Sequence, residues 1–140
     1  MVHALKEFWR VLVPRGVLID LRPICMDVDL LILSTHGWKS AGRVDRGELR
    51  LHDNAANLAT RRVVNGGLFH RIKTTYFTTK YFWNELEGLK TDTEGCWKED
   101  ASISEDTWRR AGRLLEGGNG EDRICISVKE KIVIYQKVSS

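Results

Sequence analysis

The stretch VLVPRGVLIDLRP, residues 11–23, decides how the rest of the chain is read. Ahead of its turn, Leu5, Phe8, Trp9 and Leu12 recur at spacings of three and four. They form the apolar stripe of an amphipathic helix over residues 3–13, with Lys6, Glu7 and Arg10 turned outward. Pro14 cannot continue that helix, and Gly16 stands where a sharp reversal asks for a positive φ. Val17-Leu18-Ile19-Asp20-Leu21 is apolar on both faces, the pattern of a central strand covered by helices on both sides, and Arg22-Pro23 ends it.

Further along, residues 29–34 and 43–51 read as two strands of a hairpin, joined by a loop that carries Gly37, Trp38 and Gly42. Asp53 is an expected N-cap for a helix that buries Ala55, Ala56, Leu58, Ala59, Val63 and Val64 and closes at Gly66-Gly67. Residues 68–82, dense in Thr, Tyr and Phe, predict a long strand that bends near its Thr pairs. Asn84 is placed to cap a helix carrying Leu86 and Leu89. Ser104 caps a better one, with Glu105 and Asp106 in its first turn. Two β-branched runs, 123–128 and 131–138, close the chain as a hairpin or as one kinked strand.

The totals agree with a single domain over residues 1–140. At 16.1 kDa, 42% hydrophobic and 29% charged, the chain has the composition of a folded globular protein and not that of a disordered or collagen-like one. The longest apolar run, around Leu30-Leu31-Ile32-Leu33, falls far short of the roughly 18 residues a membrane span needs, and no signal-peptide pattern is present. A cytoplasmic protein without membrane contact is the expectation. Cys25, Cys96 and Cys125 are odd in number and far apart, which leaves neither a disulfide framework nor a Cys-x-x-Cys metal site, so buried reduced thiols are expected and no metal. The net charge of +3 is spread without long runs, which permits nucleic-acid binding without pointing to it.

Residues 4–12, Ala-Leu-Lys-Glu-Phe-Trp-Arg-Val-Leu, followed by Val13-Pro14-Arg15-Gly16-Val17-Leu18-Ile19-Asp20, resemble class I S-adenosylmethionine-dependent methyltransferases. In that family a helix ending in Arg-Val-Leu-x-Pro-Gly-Gly leads into the fifth strand of the sheet. Arg15 here replaces the first Gly of the pair. The Phe69-to-Phe82 run, the helix after it and the closing β run are similar to the segments around the family's sixth and seventh strands. The resemblance implies an α/β fold of α+β-like character: the C-terminal half of a three-layer Rossmann-like methyltransferase, a mixed sheet with an antiparallel hairpin and helices packed on it. The family's cofactor-holding elements, a strand ending in a Gly-x-Gly turn and an acidic residue closing the second strand, have no counterpart in these residues. Gly66-Gly67 and Gly117-Gly118 follow helices instead.

The resemblance therefore implies no cofactor held by the chain alone. S-adenosylmethionine enters only if a partner supplies the N-terminal half, and no catalytic residue is assigned. It also implies that the strand at 17–21 lacks the fourth-strand neighbour it has in the whole enzyme. That edge is expected to be closed by a second copy, giving a dimer, by a separate chain, or internally by the hairpin. The functional readings are a methyltransferase-like protein inactive on its own and, alternatively, a non-catalytic interaction or oligomerisation module. Nucleic-acid binding is a weaker third, resting on Arg61-Arg62, His70, Arg71 and Lys73 with aromatics beyond them.

Two pairs are candidates for a cleft. Asp20 and Arg22 lie at the carboxyl end of a strand, where open α/β sheets collect ligands. His36 and Trp38 occupy the hairpin loop beside Ser34, Thr35 and Lys39. His52-Asp53 has the form of a carboxylate-oriented histidine, although a helix cap accounts for Asp53 without chemistry.

Overall fold

The computed structural model describes residues 1–118 and 120–139. The described residues form four helices and an open antiparallel sheet of six strands. In order these are α1 (Val2–Val11), β1 (Val17–Pro23), β2 (Val28–Ser34), β3 (Gly37–Asp45), α2 (Gly47–Asn65), β4 (Phe69–Trp83), α3 (Leu86–Glu94), β5 (Ser102–Ile103), α4 (Glu105–Glu116) and β6 (Arg123–Lys137). The chain divides into two compact units. The first holds Met1–Ile24, Leu51–Phe77 and the chain from Lys129 on; the second holds Cys25–Arg50 and Thr78–Val128.

Unit one is built on β1 and the C-terminal half of β6, paired antiparallel from Val17↔Gln136 to Pro23↔Glu130. Leu5 of α1 and Ala59 and Val63 of α2 bury against Phe69, Val133 and Tyr135, with Trp9, Leu12 and Leu18 at the margin. Only that face of β1 is covered. Val17, Ile19 and Leu21 point the other way and are 47%, 63% and 55% exposed. The central, two-side-covered strand expected from the sequence is thus an edge strand, and here the three-layer expectation reduces to two layers. A continuous apolar run reads as doubly buried, but among the described residues no second helix layer lies over Val17, Ile19 and Leu21.

The turn into β1 also departs from expectation. Arg15 takes the left-handed conformation, with φ 61°, rather than Gly16. Gly16 is needed for closeness instead: a Cβ there would lie 2.8 Å from the Val13 carbonyl oxygen. The Gly16 carbonyl accepts from the Lys137 N–H at 2.9 Å and the Arg15 carbonyl from Gln136 Nε2 at 3.1 Å, so β6 fixes the turn from outside. Lys137 Nζ caps the Leu12 carbonyl at 2.7 Å and sits 4.5 Å from the centroid of the Trp9 ring.

In unit two, β2 pairs with β3 from Val28↔Val44 to Ser34↔Gly37, and Leu30 to Leu33 pair with Ile126 to Arg123 of β6. The hairpin is tighter than the sequence suggested: Gly37, Trp38 and Gly42 lie in β3, and only Thr35-His36 turn. A bulge at Leu30/Leu31 admits Gly42, whose φ of +150° and close approach to the Thr107 side chain leave no room for a Cβ. Leu30, Ile32, Val44, Leu89, Ala111, Ile124 and Ile126 form the core. Ser104 caps α4 as expected, its hydroxyl accepting from the Thr107 N–H at 3.2 Å.

Other boundaries move. Strand β6 is one continuous strand of 15 residues, and β4 runs without a break through the Thr pairs. Helix α2 starts at Gly47, which puts Asp53 inside the helix and not at its cap; α3 is preceded by Glu85, not Asn84. The pairings are antiparallel, not mixed. Among the described residues no helix is long and apolar enough to cross a membrane. Cys25 and Cys125 are buried, whereas Cys96 is exposed, against expectation.

The Arg15 conformation yields a direct test. A left-handed non-glycine residue costs about 1 to 2 kcal/mol, part of which glycine returns as chain entropy, so Arg15→Gly is expected to stabilise the fold by about 1 kcal/mol. In thermal denaturation this appears as a midpoint roughly 4 °C higher, while Gly16→Ala lowers it.

Candidate functional site

Asp20 and Arg22 are two apart on β1, so both side chains fall on the face toward α2. Arg22 grips Asp20 in a fork, Nε to Oδ1 and Nη2 to Oδ2, each 2.8 Å. Its Nη1 donates to Asp53 Oδ1 at 2.9 Å, and Nη2 also reaches Asn57 Oδ1 at 3.1 Å. Asn57 and Asp53 are four apart on α2, and the Asn57 amide returns a bond to Asp53 Oδ2 at 3.1 Å. Lys131 Nζ, from β6, closes the cluster on Asn57 Oδ1 at 3.1 Å.

The cluster balances two carboxylates with two cations, and the side chains of Arg22, Asp20 and Asp53 are only 16–19% exposed. Burial, the largest influence on Arg22, works to lower its pKa. The Asp20 hydrogen bond and the charges of Asp20 and Asp53 outweigh it and hold the guanidinium above its ordinary value. The forked geometry uses the guanidinium as a clamp between β1 and α2. Both Asp20 oxygens accept from Arg22, both Asp53 oxygens are engaged, and every terminal nitrogen of Arg22 already has an acceptor. This argues for a structural role and against one in holding ligand. Ligands collect at the carboxyl ends of strands where parallel strands share that end, a condition an antiparallel sheet does not meet.

His36 and Trp38 lie in the second unit. The Ser34 hydroxyl donates to the Gly37 carbonyl and accepts from the His36 N–H, an ordinary hairpin turn. The His36 side chain is exposed and has no polar partner among the described residues, while Lys80 Nζ lies 5.3 Å from the Trp38 ring centroid. His36 lies in the turn and Trp38 in β3, and among the described residues no common partner joins them. His52 is exposed and separate from the Asp53 carboxylate, which is committed to Arg22 and Asn57.

The basic stretch fares differently. A cleft of about 1330 Å³ in the first unit, between α2 and the strands β4 and β6, is lined by Arg61, Arg71, Lys73 and Lys131. Arg62 and His70, named with them from sequence, do not line it. Lys131 belongs to a run that reads only as a strand, and nothing in the sequence tied it to residues some sixty positions earlier.

No family model, no curated protein and no solved structure matches the chain.

Removing the Arg22 side chain leaves Asp20 and Asp53 facing each other without their shared cation. Arg22→Met is therefore expected to destabilise the first unit by about 2 to 3 kcal/mol, less than the 3–5 kcal/mol of a fully buried pair because the cluster is partly wetted. Chemical denaturation measures this. A loss below about 0.5 kcal/mol, the size expected of an exposed pair, would show that the cluster is not a clamp.

Proposed function

We infer that this chain is an association module of methyltransferase-like architecture, inactive in methyl transfer on its own, whose β1 edge is closed by the same edge of a second copy. The observation carrying this reading is that β1 has a strand partner on one side only, β6, among the described residues. The hairpin, one of the expected closures of the other side, pairs with β6 instead.

The ladder fixes what the open edge offers. The Lys137 N–H donates to the Gly16 carbonyl and the Ile24 N–H to the Lys129 carbonyl, which marks the even-numbered residues as those bonded to β6. By alternation, the N–H and C=O groups of Val17, Ile19 and Leu21 point outward. An antiparallel pair centred on Ile19 sets Val17 opposite Leu21 of the second copy. It joins these outward groups in register and merges the two apolar faces. The register centred on Asp20 would set like charges opposite each other. An isologous dimer fits an edge of this kind, and Val17, Ile19 and Leu21 carry none of the charge that discourages edge pairing.

Support for the methyltransferase-like part is the sequence resemblance over residues 3–22, with a strand left open on the side where the resemblance sets a missing neighbour. The absence of a glycine-rich turn between a strand and a helix supports inactivity toward S-adenosylmethionine. Titration calorimetry of the purified chain with S-adenosylmethionine is expected to give no saturable heat; micromolar saturable binding would overturn that half of the reading.

Light scattering after size exclusion is expected to return the mass of a dimer. Ile19→Pro removes an outward N–H without breaking the β6 ladder, and Ile19→Lys charges the exposed face. Both are expected to give monomers of unchanged circular dichroism. A monomeric parent chain, or variants that remain dimeric, would defeat the self-pairing reading.

A further inference from the structure

We propose that the cleft between α2, β4 and β6 in the first unit binds single-stranded nucleic acid. Four cations from three elements line it: Arg61 of α2, Arg71 and Lys73 of β4, and Lys131 of β6. No aspartate or glutamate is among its lining residues. That is unusual in a chain with 19 acidic residues against 22 basic ones, where cations and anions otherwise intersperse.

Three of the four cations are also uncommitted. Arg61, Arg71 and Lys73 are exposed, and among the described residues none has an ion-pair or hydrogen-bond partner. Lys131 is held only by the neutral amide oxygen of Asn57. Unpaired like charges around one concavity repel one another, and an anion bound there would relieve that repulsion.

The form of the cleft selects among anions. A compact phosphorylated metabolite suits an enclosed, mostly apolar cavity of 300–1,000 Å³, whereas this one is larger, open and walled mainly by polar side chains. Arg71 and Lys73 follow each other along the same side of one strand, which suits a linear chain of phosphates. Tyr76 lies on the rim, 54% exposed, with Lys129 Nζ 5.2 Å from its ring centroid. An exposed aromatic beside a cationic track is the combination that stacks bases without reading their sequence.

The test is fluorescence anisotropy with a labelled 16-nucleotide single strand of mixed sequence, using the full chain over a series of salt concentrations. Binding is expected to be saturable at low salt, and the slope of log affinity against log salt is expected to be about −3, the value for four phosphate contacts on a single strand. The double variant Arg71→Gln/Lys73→Gln, at exposed positions that leave the fold intact by circular dichroism, is expected to halve that slope. Tyr76→Ala is expected to weaken binding roughly fivefold with the slope unchanged. The proposal is overturned by absence of binding at low salt or by an affinity indifferent to the double variant. Equal binding of a duplex, or displacement by inorganic polyphosphate at equal phosphate concentration with Tyr76→Ala silent, also overturns it.

Discussion

The pairing of β1 with the C-terminal half of β6 is the constraint on which the first unit depends. It sets which side chains of β1 meet α1 and α2 and which meet water. It places the Arg15-Gly16 turn under the control of Lys137 and Gln136, and it leaves β1 with one edge unspent. Arg15 is held in a left-handed conformation that a free turn would give to glycine. The bonds made by its own and its neighbour's carbonyl to β6 balance that cost. Lys137 contributes through its main-chain N–H, its ammonium on the Leu12 carbonyl and its position beside Trp9, so the end of α1 and the start of β1 are fastened by one residue.

The alternation of β1 then separates two kinds of surface. Its even positions carry Leu18 into the core and Asp20 and Arg22 into the clamp with Asp53 and Asn57. Its odd positions carry Val17, Ile19 and Leu21 into the open. Polar chemistry on the covered side is self-satisfied and the exposed side is apolar, an inversion of the usual pattern for a strand with one wet face. Such an inversion is stable in water only if the face is small or is covered by a partner.

Much of this was legible in the sequence, and what was not has identifiable physical reasons. Leu5, Trp9 and Leu12 of the expected stripe, the stop at Gly66-Gly67 and the Ser104 cap are local signals and fell where they should, whereas Phe8 of the same stripe is exposed. The strand at 17–21 was legible as a strand, although β1 runs on to Pro23, but its depth in the sheet depends on what lies beside it, and periodicity carries no information about neighbours. Asp53 reads as a cap because Asx residues favour that position; α2 instead begins at Gly47, and the carboxylate of Asp53, within the helix, accepts from Arg22, 31 residues earlier. Asp20 and Arg22 were found as residues worth attention, but the partners that reveal their role, Asp53, Asn57 and Lys131, come from elements joined only by the fold. Of the basic stretch, Arg61, Arg71 and Lys73 reach the cleft while Arg62 and His70 do not. Sequence proximity groups charges, but the geometry of helix and strand sorts them again.

The same alternation decides whether the open edge and the cationic cleft compete. Lys131, Val133 and Tyr135 line the cleft from the side of β6 that faces α2. Ile132 and Ile134 are paired with Leu21 and Ile19 and so share the opposite face with them. Closing the β1 edge therefore buries none of the residues that line the cleft. A pair of copies would carry two clefts, and one ligand long enough to span both would be held more tightly than by either alone, because its second contact becomes intramolecular. Association and ligand capture would then be coupled by chain geometry and not by any shared residue. Loss of the β1 edge contact would be felt most by long ligands and least by short ones.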